Sequence, residues 1–415
     1  MQLGRSERMA LGASVATAPH PAGNDRYPAL SGLRGLAALG VFAVHVCAFI
    51  GLPQIRPGQS MAFVLLAWLP KMGWSGVDVF FTLSAFLLAL PYAGAFRDGT
   101  PLPGASGYVA RRAARILPAY LVQLLVLYGL IALGWASGIV DQPIDATRLL
   151  VQPVFAYDLG WPGVATMQTP LVASWWTMPV EIGFYILLPF LVRLLRPGRW
   201  PWLLLAIATA WTWRAAILWT QPMSPPIAYL VEHLPGRIDQ FAIGMLAAYL
   251  FSRAPRVLDW VKDSRADVLF LVAALVFIAL PALGFVEGVP VGETPSGYPL
   301  LVGWHTYAGI AAAAMLFAAA RAAPLVSRFV GCLPLRVLGH ISYGLYLWHL
   351  PVLLWLHARG GVIAAGSPAI FVFDGLLFSL MAAVLSWQFI ERPAMRFAAR
   401  WSRARMPAPV PASAP

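Results

Sequence analysis

The amino-acid sequence predicts an all-α polytopic membrane protein with about ten transmembrane helices and with both termini in the cytoplasm. Of its 415 residues, 60% are hydrophobic and only 11% are charged, and the mean hydropathy is +0.71. The apolar residues are grouped in stretches of about 20, the length that crosses a hydrocarbon core about 30 Å thick. Arg and Lys are concentrated in alternate connections between these stretches. This composition excludes a soluble globular domain.

The predicted helices follow from these apolar stretches. In chain order they are 33–52, 74–93, 113–135, 171–192, 200–219, 237–252, 267–286, 299–320, 340–357 and 368–390. A further stretch, 61–70, is too short to span and is predicted to lie along the membrane interface. We therefore predict one transmembrane domain over 31–397, a disordered cytoplasmic tail over 1–30, and a basic, then Pro/Ala-rich, cytoplasmic tail over 398–415.

The positive charge sets the predicted orientation. Alternate connections carry most of the Arg and Lys, as does the C-terminal segment after the last helix, and such residues favour the cytoplasmic side. The net charge of +12 is interpreted mainly as this topology signal, so no nucleic-acid partner is expected. A basic cytoplasmic face would also attract anionic lipid or an anionic substrate. The predicted location is multi-pass, in a bacterial inner or plasma membrane.

Ionisable residues at mid-membrane depth indicate a functional site. His45, Glu181 and His349 fall near the middle of their predicted helices, where such groups are costly and usually face an internal cavity. Arg34 precedes His45 by eleven residues, which is about 16 Å of helix axis and about 20° of residual rotation. Both side chains should therefore lie on one helix face. A histidine in such a helix can also serve only to bond a neighbouring helix.

The segment RRAAR, residues 111–115, precedes the third predicted helix. Arg112 and Arg115 are three residues apart and would project from one helix face, and arginine forks bind phosphate oxygens in bidentate fashion. A cytoplasmic phosphate-rich ligand would suit this pair. The two arginines could equally well serve only to keep this connection on the cytoplasmic side of the membrane.

Seven sequence blocks resemble the acyltransferase-3 family of integral membrane O-acyltransferases, over about 27–396. The blocks are LSGLRGLAALGVFAVH, GVDVFFTLSAFLL, RRAARILPAY, SWWTMPVEIGFYILLP, RIDQFAIGMLAAY, LGHISYGLYLWHLPV and FIERP. The resemblance implies transfer of an acyl group, usually acetyl, from cytoplasmic acyl-coenzyme A to a hydroxyl of a glycan or glycosylated metabolite.

Matching positions carry the family's roles onto this sequence. His45 corresponds to the essential histidine and Arg34 to its partner. Arg112 and Arg115 match the basic pair expected to contact coenzyme A phosphates, and Glu181 matches the glutamate of the fourth-helix block.

The chemistry agrees with these roles, because a hydroxyl needs a base within hydrogen-bond reach to attack a thioester. His45 would take the proton, and a transient acyl-histidine is the competing version. We expect Glu181 to orient the imidazole. No metal site and no tightly bound cofactor are predicted; acyl-coenzyme A is a co-substrate.

Four further residues are candidates for acceptor binding, each with a structural alternative: Asp78, Ser84, Tyr346 and His349. Asp78 could instead pair with an arginine. His349 shares a helix face with Ser342 and Tyr346 and could line the cavity or serve packing alone.

Two other classes of protein also place ionisable groups inside the membrane. A transporter should often show related halves with broken helices in corresponding places, and the sequence shows no such repeat. A haem protein would use His45 and His349 as axial ligands.

The family resemblance implies three expected partners: membrane lipid, acyl-coenzyme A and a glycan or glycosylated small-molecule acceptor.

Overall fold

The computed structural model describes residues 27–50, 60, 69–134, 151–155, 173–220, 230–253, 260–286, 298–321 and 323–404. Within these ranges the chain is helical and contains no strand. The helices are α1 (Pro28–Ile50), α2 (Gly76–Asp98), α3 (Ala105–Ala132), α4 (Thr177–Leu191), α5 (Leu204–Thr220), α6 (Leu234–Arg253), α7 (Asp263–Val286), α8 (Tyr298–Ala320), α9 (Pro324–Phe329), α10 (Leu333–Ala358), α11 (Gly361–Ala365), α12 (Pro368–Ser386) and α13 (Arg392–Ala404). A π-helical turn, Trp387–Glu391, joins α12 to α13.

Each of the ten predicted spans coincides with a helix, so the predicted fold class is confirmed. Among the described residues, eight helical segments are long and apolar enough to cross a membrane. They are Pro28–Ile50, Met72–Asp98, Ala105–Ala132, Ser174–Leu195, Trp200–Trp219, Val302–Ala320, Leu333–Ala358 and Pro368–Ser402. The other two predicted spans are α6 and α7. The chain is a multi-pass, all-α membrane protein.

Several helix boundaries differ from the prediction. The third helix begins at Ala105, so the arginines of 111–115 lie inside α3 rather than before it. The prediction followed apolarity alone, whereas Ala and Arg are strong helix formers that extend the helix into a polar segment. Residues 61–68 of the predicted interfacial stretch 61–70, and residues 1–26 and 405–415 of the two predicted tails, lie outside the described residues. The described parts of the predicted tails, 28–30 and 398–404, are instead helical and belong to α1 and α13. The orientation of the termini stays a prediction.

Helices α1 and α10 form the most extensive helix pair. Glycines allow their backbones to meet: a Cβ on Gly339 would overlap the carbonyl oxygen of Ser31, and one on Gly35 would overlap that of Leu335. Small residues at such contacts are the usual means by which membrane helices approach closely. This packing fixes the relative positions of the two helices that carry His45 and His349.

The remaining helices around the site are held to this pair by specific contacts. Helix α2 packs against α6, and Gly244 of α6 lies directly against the Thr82 carbonyl. In α3, Gln123 donates to the Leu347 carbonyl of α10 and accepts from the Trp175 indole at 3.0 Å. Helices α1, α2, α3, α4 and α10 therefore surround one interior space.

Candidate active site

A cavity of about 410 Å³ lies between α1, α2, α3, α4 and α10 and is closed on one side by the π-helical turn and α13. Its polar lining includes Arg34, Ser84 and Glu181, and its apolar lining includes Phe80 and Phe81. The cavity is thus a pocket with both charged and apolar walls, which suits a ligand that has a charged end and an apolar arm.

Three arginines, Arg34, Arg112 and Arg115, line one end of this cavity. The guanidinium of Arg112 lies 5.8 Å from the ring centre of Tyr185, and that of Arg115 lies 5.7 Å from the ring centre of Trp387. Such cation–π contacts hold the planar guanidinium groups in place. The sequence prediction that Arg112 and Arg115 share one face is confirmed, because both point into the same space.

Arg115 also forms an ion pair with a buried carboxylate that sequence reasoning left without a role. Its Nη1 lies 3.6 Å from Oε2 of Glu391, whose side chain is fully buried. Glu391 also accepts a hydrogen bond from Ser386 at 3.0 Å. The π-helical turn that carries it is a deviation often found at functional sites. The sequence signal that could have identified Glu391 is the block FIERP, which contains it.

Glu181 lies in the wall of the cavity in a small hydrogen-bonded group. Its Oε1 accepts from the Ser84 hydroxyl at 3.4 Å and from the Tyr185 hydroxyl. The two hydroxyls are 3.3 Å apart. Sequence reasoning found Ser84 and Glu181 but missed Tyr185, although it follows Glu181 by four residues and therefore lies on the same helix face.

His45 and His349 are in direct contact. The Nε2 atom of His349 lies 3.2 Å from Nδ1 of His45, and the ring centres are 4.9 Å apart. His349 is 1% exposed, whereas His45 is half-buried. A haem iron would need both rings as separate ligands, and this contact leaves no space for a haem between them.

The prediction that Glu181 orients the His45 imidazole is wrong: among the described residues, the two side chains have different partners. His45 bonds the Val41 carbonyl and His349, while Glu181 bonds Ser84 and Tyr185. The physical reason is that α10, rather than α4, packs on α1 at the level of His45.

Tyr346 connects the cavity to the histidines. Its side chain lines the cavity, and its hydroxyl is 2.8 Å from the Thr177 hydroxyl and donates to the Ser174 carbonyl at 2.7 Å. Its ring centre is 6.0 Å from that of His349. The described cavity lining does not include His45 or His349. Since His349 follows the lining residue Tyr346 by three residues on α10, the histidine pair lies about one helical turn further along α10 than the cavity wall.

Asp78 lies in a separate buried polar cluster and is not among the described lining residues. It accepts from Arg237 at 2.6 Å and from His305 at 2.9 Å, and Arg237 also pairs with Glu232 at 2.5 Å. Burial alone would raise the pKa of Glu232, but the charges of Arg237 and His305 lower it to about 2. The alternative prediction, that Asp78 pairs with an arginine, is confirmed; its acceptor role stays a prediction.

A second buried pair adjoins this cluster. Arg214 donates to Asp239 at 2.7 Å, and both side chains are fully buried. Arg214 had no role in the sequence analysis, since the helices that carry it and Asp239 could not be known to be neighbours.

A family model matches nearly all of the described helical region. The acyltransferase-3 model, described as an acyltransferase domain, covers residues 27–388. The chain belongs to the acyltransferase-3 family. The predicted resemblance is thus confirmed, and the cavity and the histidine pair are features of a membrane acyltransferase domain.

Three curated bacterial proteins are similar to this acyltransferase-3 protein. A Staphylococcus aureus protein provisionally named an O-acetyltransferase is 23% identical over 390 residues, which are 88% of this chain and 57% of the relative. The exopolysaccharide production protein ExoZ of Rhizobium meliloti is 25% identical over 327 residues, 78% of this chain and 90% of ExoZ. The acyltransferase MdmB of Streptomyces mycarofaciens is 31% identical over 183 residues, 43% of this chain and 42% of MdmB.

The chain thus spans little more than half the length of the Staphylococcus aureus relative. No solved structure matches it.

Proposed function

We propose that this acyltransferase-3 protein is an O-acyltransferase that moves an acyl group, most simply acetyl, from acyl-coenzyme A to a hydroxyl of a glycan or glycosylated metabolite. The observation that carries the proposal is the cavity with three arginines at one end and a histidine pair about one helical turn further along α10 than the cavity wall. The names of the Staphylococcus aureus relative and of ExoZ support an acetyl donor and a polysaccharide-like acceptor.

The arginine end suits the phosphates of coenzyme A. Arg34, Arg112 and Arg115 carry three positive charges into a cavity whose described lining includes one carboxylate, that of Glu181. Guanidinium groups bind phosphate oxygens in bidentate fashion. These charge-assisted hydrogen bonds are strongest where water is partly excluded. The apolar walls then accept the pantetheine arm, which carries the thioester toward His45.

His45 acts as the general base in this proposal. The acceptor oxygen bonds to the acyl carbon while its proton passes to Nε2 of His45. The carbon–sulfur bond then breaks, and the proton passes to the departing thiolate. Glu181, held by Ser84 and Tyr185 in the cavity wall, interacts with Arg34 and helps to position that guanidinium for the donor phosphates.

The donor site is tested by calorimetric titration of the detergent-purified protein with acetyl-coenzyme A. We expect saturable binding that weakens at least about a hundredfold in the Arg112→Ala/Arg115→Ala double variant, since each residue supplies charge-assisted hydrogen bonds. Arg111→Ala is the matched control, because Arg111 lies on the same helix but is not among the described lining residues. Equal affinities in all three proteins would contradict the donor site.

The transfer reaction needs a separate test with labelled acetyl-coenzyme A. His45→Ala is expected to abolish transfer while acetyl-coenzyme A still binds. Full transfer by His45→Ala would refute the general base. Uptake of a solute into proteoliposomes without any acyl donor would favour the transporter alternative.

A further inference from the structure

The contact between His45 and His349 defines which ring nitrogen of His45 can act as a base. We infer that His349 is a positioning residue that holds His45 in the tautomer protonated at Nδ1 and leaves Nε2 free to accept the acceptor proton. This inference rests on the proposed function of His45, and it gives His349 a role other than cavity lining, acceptor binding, haem ligation or helix packing.

Two acceptors face Nδ1 of His45 and together determine its tautomer, and the first of them lies on its own helix. Its Nδ1 lies 2.8 Å from the Val41 carbonyl oxygen, one turn earlier on α1. A carbonyl oxygen can only accept, so this bond forms when Nδ1 carries the hydrogen, but the Val41 carbonyl also accepts a backbone N–H within α1 and does not by itself exclude the other tautomer. In a neutral imidazole the other nitrogen, Nε2, is then an unprotonated acceptor.

The hydrogen bonds of His349 make it an acceptor toward His45. Its Nδ1 lies 3.0 Å from the Leu345 carbonyl oxygen and therefore donates to it. The Nε2 of neutral His349 thus presents a lone pair, and this atom faces the Nδ1–H of His45 at 3.2 Å. The hydrogen on His45 Nδ1 is shared between the Val41 carbonyl and His349 Nε2.

This arrangement also favours the protonated state of His45 during transfer. When Nε2 takes the acceptor proton, the Nδ1–H becomes more acidic and its bonds to Val41 and His349 strengthen. In a serine hydrolase triad a carboxylate has this position; here a second, neutral histidine occupies it. His349 itself is 1% exposed, and its Nε2 is directed at His45, so it is not placed to take a proton from the acceptor.

The variants separate the hydrogen bond from simple packing. His349→Leu removes the acceptor and keeps an apolar side chain in the contact between α1 and α10. His349→Gln restores an acceptor oxygen near the former Nε2. His357→Leu is the matched control, since His357 lies two turns further along α10 and is exposed.

Tautomers are read directly from solid-state ¹⁵N spectra of histidine-labelled protein in lipid, with the His45 signal assigned by its loss in His45→Ala. We expect a protonated Nδ1 and an unprotonated Nε2 in the wild type, in His349→Gln and in His357→Leu, and a mixture of tautomers in His349→Leu. An Nε2–H tautomer in the wild type, or an unchanged spectrum in His349→Leu, would overturn the inference.

The kinetic test uses labelled acetyl-coenzyme A as donor and the sugar hydroxyls of dodecyl maltoside as acceptor. We expect His349→Leu to lower kcat about ten- to a hundredfold with an unchanged KM for acetyl-coenzyme A, and His349→Gln to recover most of kcat. A kcat for His349→Leu equal to the wild type would refute the positioning role and leave His45 as base. Absence of transfer by the wild type, or full transfer by His45→Ala, would count against the proposed function, while the ¹⁵N spectra would still decide the tautomer.

Discussion

Replacing Asp78 by alanine is expected to destabilise the fold rather than to weaken acceptor binding alone. Asp78 is fully buried and Arg237 is 1% exposed, and the two are joined at 2.6 Å. Removing the Asp78 carboxylate leaves the Arg237 charge buried with fewer negative partners. Glu232, paired with Arg237 at 2.5 Å, is the carboxylate that remains in contact with it.

The expected magnitude follows from these partners. Removing one member of a buried ion pair costs about 3–5 kcal/mol, and the remaining Glu232 contact places Asp78→Ala near the lower limit, about 3 kcal/mol. Asp78→Asn keeps an acceptor oxygen and loses only the charge, so its cost should be smaller, about 1.5–3 kcal/mol. The double variant Asp78→Leu/Arg237→Met should recover only part of the loss, because it removes the buried Arg237 charge but leaves Glu232 with His305 as its remaining partner.

The assay is thermal unfolding of the purified protein in one detergent at one scan rate, since unfolding of membrane proteins is commonly irreversible. Asp98→Ala is the matched control on the same helix, because its pair with Arg97 is about half exposed and such pairs contribute little. A wild-type unfolding midpoint for Asp78→Ala, together with a raised KM for the acceptor, would refute the structural role and favour acceptor binding.

Two further predictions concern packing and pH. Gly339→Ala should lower the free energy of unfolding by about 1–3 kcal/mol, and with it the unfolding midpoint, because the added Cβ would overlap the Ser31 carbonyl oxygen. Gly129→Ala is the control and should leave the midpoint unchanged, because a Cβ at Gly129 would have no atom within 4 Å. Glu232 has a folded-state pKa lowered from 4.5 to about 2, so its ionised form stabilises the fold at pH above 4.5, on the order of 3 kcal/mol. The midpoint difference between wild type and Glu232→Gln should be constant near neutral pH and shrink as pH falls from about 4.5 toward 2; a difference unaffected by pH would contradict the assigned ion pairs.

The sequence was sufficient for features that depend on one helix at a time. Hydropathy located the ten helices, and helical periodicity placed Arg112 and Arg115 on one face. The positions of His45 and His349 near the middle of their predicted helices also put the two residues at similar depth. Hydropathy underestimated the length of α3, because the first turns of this helix are polar. Helical propensity, rather than apolarity, determines where α3 begins.

Features that depend on which helices are neighbours were not accessible from one sequence. The partner of His45 was expected on α4 and lies on α10, because close contacts at Gly35 and Gly339 bring α1 and α10 together. The same limit hid the contact between Arg115 and Glu391. Tyr185 was the exception, since its spacing from Glu181 was already visible in the chain.

The pairing of α1 with α10 has a consequence for how the protein is made. His45 and His349 are separated by 304 residues, which a ribosome takes roughly 15 to 60 s to synthesise at 5–20 residues per second. Throughout that interval α1 is in the membrane with Arg34 and His45 but without the helix that receives its glycine surface. Chains that stop before Leu333 should therefore lack the main packing partner of α1, and the histidine pair can assemble only after α10 has been synthesised.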